Sequence, residues 1–347
     1  MNDHSEVKAL LKIWSIVFLS LSYCYFITSK IPKGKIRLLF VLPIIYLFTI
    51  PPLSLSYVLT TGITSSFITW LTTSMLLLYS FDLGPYKRLT TKKFENPFPI
   101  KYKNTAFYNK ESSKRLPLSL WSKALISSIV ILFCDKYREE LHQGVILVIY
   151  SYLLSLLVDI AMGFSNMLVG PIMGVELAQP SDEPYLATSL QDFWGRRWNL
   201  MVTDTLRHTV YNPTRVFSSK YFGEKWATAH GTMASFIVSG LMHELILYYV
   251  TRVSPSWEMT WFFVLHGISV TVEVAVKRAL GQKVRLDRAI SDPLTVGFVM
   301  GTGYLWFFPP IMKNHVDLRV FEELVSFYGY FWGIFKWFGS FSTMNYQ

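Results

Sequence analysis

Charge is scarce in this chain. Asp, Glu, Lys and Arg make up 16% of its 347 residues, against roughly 25% in an average soluble domain, and 51% are apolar. That imbalance excludes an ordinary soluble protein. Cysteine is scarcer still. Cys24 and Cys134 each lie in or at the end of an apolar run, which excludes a disulfide framework and leaves too few thiols for a metal site. No Gly-x-Ser-x-Gly occurs, so an elbow-type serine hydrolase has no nucleophile position. His243-Glu244 is followed by Leu245-Ile246-Leu247, so the His-Glu-x-x-His signature of a zinc protease is missing too. Nor is there a polar stretch large enough for a separate soluble domain, an internal repeat or a low-complexity tract.

What is present is a succession of apolar runs near the roughly 20 residues that cross a bilayer as a helix. They fall at about 9–29, 38–59, 64–83, 118–134, 144–163, 227–250, 257–276, 294–312 and 322–339. The expected fold is all-α, a multispanning integral membrane protein of about eight to nine transmembrane helices in one domain over 1–347. The first run follows Asp3 and Glu6 and has no small-residue cleavage pattern after it, so it reads as a retained anchor.

The net charge of +10 belongs to topology rather than to nucleic acid. Lys and Arg sit in short connections: Lys30 to Arg37, a basic surface loop at 84–117, the segment 164–226 and Lys277 to Arg288. With alternating crossings these fall on one side, which the positive-inside bias makes the cytosol, with 135–143 opposite. Basic residues among the aromatics of 84–117 suit an anionic headgroup layer or a phosphorylated cofactor.

Two features break the apolar pattern. His243 lies inside Phe236-Ile-Val-Ser-Gly-Leu-Met-His-Glu-Leu-Ile-Leu247, within the span 227–250, and ionisable groups at such depth mark functional sites. A neutral imidazole there is the state a general base requires; the bland alternative is a buried His bonded to a neighbouring helix. Glu244, next to it, points about 100° away on a helix and forms no simple pair with it. Ser239-Gly240, one turn earlier, permits close approach of a helix or a substrate chain. The second feature is the segment 185–222, rich in Trp, Arg and Asn, with Asp192-Phe-Trp-Gly-Arg-Arg-Trp-Asn199 at its centre. Asn199 can donate to a developing oxyanion, with a structural Asn as the alternative, while Trp194, Trp198, Arg196 and Arg197 also fit an aromatic belt with positive-inside charges.

Taken together, Phe193-Trp194 with Trp198-Asn199, the continuation through Leu206-Arg207 to Val210-Tyr211-Asn-Pro-Thr-Arg215, and the lone His243 in Ser-Gly-Leu-Met-His-Glu resemble the membrane-bound O-acyltransferase superfamily. More narrowly they resemble its plant wax synthase branch, the long-chain-alcohol O-fatty-acyltransferases. The resemblance implies transfer of a fatty acyl group from acyl-CoA, a substrate rather than a cofactor, to a long-chain alcohol, with no cofactor and no metal. It also implies an endoplasmic reticulum membrane location, with His243 as catalytic base and Asn199 as its partner. Trp194, Trp198, Arg196 and Arg197 become substrate-binding candidates, the arginines for the CoA phosphates. Related sterol and diacylglycerol acyltransferases have a shorter Trp-x-x-Trp-Asn spacing and a Val-His where this chain has Val202-Thr203-Asp204. A sterol or diacylglycerol acceptor is the nearest alternative. A proton-coupled transporter using Asp159, Glu273, His243 and His266 is the alternative of a different class, and oligomeric state is not legible.

Overall fold

An apolar run in lipid must satisfy its own backbone polar groups, and a helix does so within one segment. The computed structural model describes residues 3–83, 119–173, 181–280, 287–327 and 329, and among these there is no strand. Among the described residues, seven helical stretches are long and apolar enough to cross a membrane: His4–Lys30, Lys35–Ser54, Val58–Phe81, Gln143–Ala161, Glu224–Thr251, Glu258–Leu280 and Arg288–Lys313. A shorter apolar helix, Trp121–Cys134, occupies the run expected at 118–134. The span expected at 322–339 lies mostly, and the basic loop 84–117 wholly, outside the described residues. The protein is an all-α, multispanning membrane protein.

The first three spans pack on one another through Ile13, Val17, Val41, Ile44, Phe48, Ile68 and Leu76. Two expected boundaries move, each for a physical reason. The second span breaks after Leu47 and resumes as a short 3-10 turn at Pro51–Ser54, where Pro51 and Pro52 offer no backbone N–H to continue an α-helix. The third begins at Val58, six residues before the expected 64, because distant carboxylates cap its N-terminus. Glu323 accepts the N–H groups of Val58 (2.6 Å) and Leu59 (2.9 Å), and Glu6 accepts those of Ser56 (3.1 Å) and Tyr57 (3.3 Å). Negative charge at a helix start is favourable on both hydrogen-bond and dipole grounds.

The same contacts define two ends of the bundle. At one end lie Glu6, Ser56 and Glu323, with Arg252, which donates to Pro52 O at 2.9 Å and to Leu55 O at 3.3 Å, and Tyr249, whose hydroxyl donates to Thr49 O at 2.8 Å. Glu258 pairs with Lys313 there at 2.7 Å. Arg138, Glu139 and Glu140 share a cavity with Leu318, Phe321 and Glu322, which places the 135–143 connection near this end. At the other end Lys33 faces Asp82 (3.7 Å), and Gly34 N–H donates to Ser80 O (2.8 Å). Cys24 and Cys134 are free and buried in separate clusters.

The core of the molecule for function is the antiparallel pair Glu224–Thr251 and Glu258–Leu280, about 42 Å and 35 Å long at 1.5 Å per residue. They cross where Gly240 meets Thr260: a Cβ at 240 would lie 2.8 Å from the Thr260 Cα. The Ser239-Gly240 step therefore serves the approach of a helix. Gly267 makes a second close contact, its would-be Cβ lying 3.0 Å from the Phe236 Cβ.

Candidate active site

His243 sits in the C-terminal half of Glu224–Thr251, and its Nδ1 lies 2.7 Å from the backbone oxygen of Ser239, one turn back. A carbonyl can only accept, so Nδ1 carries the hydrogen and Nε2 presents a lone pair. The ring is partly accessible and enclosed by aromatics: Phe263 at 4.5 Å between ring centroids, Trp70 at 5.5 Å and Phe307 at 5.9 Å. Glu244 turns elsewhere. It is buried and takes the Thr260 N–H at 3.1 Å, which ties the two long helices together beside their close crossing.

Trp70 and Phe307 lie in π-helical stretches, Ser65–Thr72 and Gly303–Phe307, and the motif residues Phe193–Arg197 form a third. Each such turn inserts a residue into the helical register and re-aims the side chains around it, a distortion found often at functional sites. Of the four π-helical stretches among the described residues, the fourth being Arg207–Tyr211, these three carry rings that pack on His243 or on its neighbour Phe263.

The motif segment is docked on the Glu258–Leu280 helix along one stripe, His266, Glu273 and Lys277, spaced seven and four residues apart. Glu273 accepts the N–H groups of Leu190 (2.8 Å) and Gln191 (3.3 Å), capping the turn that opens the motif, and is paired with Lys277 at 2.5 Å. Lys277 also donates to Ser189 Oγ at 3.0 Å. Trp194 donates its indole N–H to His266 Nδ1 at 3.0 Å, and its own carbonyl accepts the Thr203 hydroxyl at 2.9 Å. Trp198 stacks on Phe193, centroids 5.8 Å apart and planes 10° from parallel.

Arg197 closes the loop on itself, bonded to Asp192 at 2.8 Å and to the backbone oxygens of Asp182 (3.1 Å) and Glu183 (3.3 Å). Burial lifts the Asp182 carboxyl above its ordinary range, outweighing the opposing pull of Arg197. Arg196 is exposed and has no ion-pair partner among the described residues. Asn199 caps the helix Leu200–Leu206, its Oδ1 accepting the Val202 N–H at 3.3 Å, with a left-handed φ of 40° that Asn tolerates better than most residues. With the oxygen so used, the carboxamide's N–H groups are its remaining donors.

Of the sequence candidates, the structure brings Trp194 and His243 into contact with one ring, Phe263, at 5.8 and 4.5 Å between centroids. Among the described hydrogen bonds none joins Asn199 to His243, nor His243 to His266. Sequence reasoning missed the aromatic wall of Trp70, Phe263 and Phe307, and it missed the anchoring stripe. The stripe had a signal, since three polar residues at helical spacing in an apolar span share a face. The wall had none, because aromatics are abundant in every span. Of the groups considered for proton transport, Asp159 is paired with Lys123 at 2.5 Å, Glu273 with Lys277 and His266 with Trp194, while His243 gives its Nδ1 hydrogen to Ser239 O. Among the described residues no cluster of three or more His, Cys, Asp or Glu is arranged to hold a metal ion.

Fold and site together define a polytopic helical membrane protein with a base-competent imidazole inside the bundle, beside a Trp-Asn segment docked on the neighbouring span. Residues 179–265 match the membrane bound O-acyl transferase family, a stretch that carries both His243 and the motif. The chain is 38% identical over 341 residues to the long-chain-alcohol O-fatty-acyltransferase of Simmondsia chinensis, covering 95% of this chain and 97% of the relative. It is 39% identical over 325 residues to the probable long-chain-alcohol O-fatty-acyltransferase 3 of Arabidopsis thaliana (92% and 94% covered). It is 38% identical over 331 residues to the acyl-CoA–sterol O-acyltransferase 1 of Arabidopsis thaliana (92% and 95% covered). The chain belongs to the membrane bound O-acyl transferase family.

Proposed function

We propose that the protein transfers a fatty acyl group from acyl-CoA to a long-chain alcohol, forming a wax ester and free CoA in the endoplasmic reticulum membrane. The observation that carries the chemistry is the tautomer of His243: with Nδ1–H given to Ser239 O at 2.7 Å, Nε2 is the acceptor face, inside an aromatic-lined site. The acceptor follows the two relatives named as long-chain-alcohol O-fatty-acyltransferases.

In this reading Nε2 takes the hydroxyl proton as the alcohol oxygen attacks the thioester carbonyl. The tetrahedral oxyanion collapses, the carbon–sulfur bond breaks, and the CoA thiolate leaves with the proton returned from the imidazolium. Protons balance, and acyl-CoA is a substrate, so no further cofactor is invoked. Asn199 donates its amide N–H to the acyl donor or the developing oxyanion. Trp194 and Trp198 wall the acyl site. Of the two arginines proposed for the CoA phosphates, Arg196 is the exposed one, and Arg197 braces the loop that presents it.

A sterol acceptor is the second reading, favoured by the similarity to a sterol O-acyltransferase. Microsomes supplied with labelled acyl-CoA and a mixture of C16 to C18 alcohols, sterols and diacylglycerol decide the matter. Wax esters are expected to predominate; predominant steryl ester moves the acceptor to the second reading, and no ester with any acceptor sinks both.

A further inference from the structure

His266 is the most enclosed ionisable side chain at the site, with 0% exposure, so no substrate reaches it and it cannot serve as a second base. Its hydrogen bonds nonetheless fix every proton around it. Indole nitrogen only donates, so Trp194 Nε1–H makes His266 Nδ1 the acceptor at 3.0 Å. The neutral ring then carries its hydrogen on Nε2, which donates to Thr302 Oγ1 at 2.9 Å; the Thr302 hydroxyl is free to donate onward to Phe298 O at 2.7 Å. The chain Trp194–His266–Thr302–Phe298 runs in one direction with each donor matched to an acceptor. It joins the motif segment, the Glu258–Leu280 helix and the Arg288–Thr302 helix.

Trp194 is the part of this chain that touches the chemistry on two sides. Its ring packs against Phe263, which lies 4.5 Å from the His243 ring. Its carbonyl holds Thr203, in the helix that Asn199 caps. We propose that His266 is a positioning residue: by accepting the Trp194 indole N–H it fixes the placement of the Asn199 helix relative to His243. The inference rests on the acyl-transfer reading of His243 and Asn199, and its test separates the two.

Two amides dissect the ring. In His266→Asn the side-chain oxygen falls where Nδ1 was and still accepts from Trp194. In His266→Gln the longer amide reaches Thr302 and leaves the indole without its acceptor. Trp194→Phe removes the donor. Misplacement of reacting groups by about 1 Å costs up to roughly 10²-fold, so kcat is expected to fall about 10- to 100-fold in His266→Gln and Trp194→Phe, with KM for acyl-CoA little changed in His266→Gln. His266→Asn is expected to stay within about tenfold of wild type on the same scale. The double variant Trp194→Phe/His266→Gln should lose no more than the worse single change, since both break one interaction. A packing role predicts the reverse order, because Gln fills more of the histidine's volume than Asn. Gln outperforming Asn, or losses that multiply in the double variant, overturns the proposal.

The second readout does not depend on turnover. In protein labelled with 15N-tryptophan, the Trp194 indole signal, identified by its loss in Trp194→Phe, should persist in His266→Asn and shift in His266→Gln. An unmoved signal in His266→Gln overturns the clamp even if activity falls. If the wild type esterifies no acceptor, the functional reading fails and the indole signal alone decides the clamp.

Discussion

Replacing Gly240 by Ala tests whether the close crossing of the two long helices sets the site. The added Cβ would meet the Thr260 Cα at 2.8 Å and the Thr260 Cγ2 and backbone oxygen at 3.3 Å, so backbone must move, since no flexible side-chain end can yield. Ala gains about 1 kcal/mol of helix propensity over Gly, while overpacking costs about 1–3 kcal/mol. The net is a destabilisation of up to about 2 kcal/mol, or a Tm lower by a few degrees at about 2–4 °C per kcal/mol. The larger effect falls on chemistry. Separating the helices draws His243 from Phe263, three residues beyond each side of the crossing, and a shift on the order of 1 Å costs up to roughly 10²-fold in turnover. Gly297→Ala is the control, since nothing lies within 4 Å of its would-be Cβ, and it should be neutral or slightly stabilising. The assay is ester formation and thermal unfolding of both variants in the same detergent. Gly240→Ala with wild-type turnover and a Tm at or above wild type would refute the reasoning.

Removing the proposed base by His243→Ala should lower ester formation by about 10²–10⁴-fold while the purified protein stays folded; near-normal turnover ends the mechanism. Asn199→Gly keeps the left-handed backbone and costs only a few tenths of a kcal/mol as a cap, so a fall in kcat of about 10²–10³-fold is expected from the lost amide donor. Unchanged kcat in that variant would reduce Asn199 to a capping residue. Cysteines introduced at Ser113 and Gln143 should react with impermeant reagent from opposite faces of sealed microsomes, and labelling of both from one face would overturn the sidedness drawn from the Lys and Arg distribution.

Some of the site was legible because lipid makes polarity expensive. His243 stands out in the run from Phe236 to Leu247, and the Trp-Asn segment stands out as too polar for a span and too aromatic for a linker. Which proton each histidine carries was not legible, since it depends on Ser239, four residues away, for one and on Trp194 and Thr302, 72 and 36 residues away, for the other. Asp159, Glu273 and His266 are titrating groups only in the transporter alternative that the sequence leaves open, and in the fold they are partners of Lys123, Lys277 and Trp194.

The sequence by itself determined an all-α membrane bundle, because runs of about 20 apolar residues admit no other spanning structure. It also singled out His243 and Asn199, because an imidazole in hydrocarbon and a carboxamide after a Trp-rich turn are conspicuous. Only the tertiary structure decided where the third span starts, since the carboxylates that cap Val58 and Leu59 come from Glu323, and those that hold Ser56 and Tyr57 from Glu6. It alone assembled Trp70, Phe263 and Phe307 around His243, because π-helical turns in two distant spans and one close glycine crossing set which aromatic faces meet. Periodicity along one chain fixes a helix face; what that face touches depends on the registers of all its neighbours.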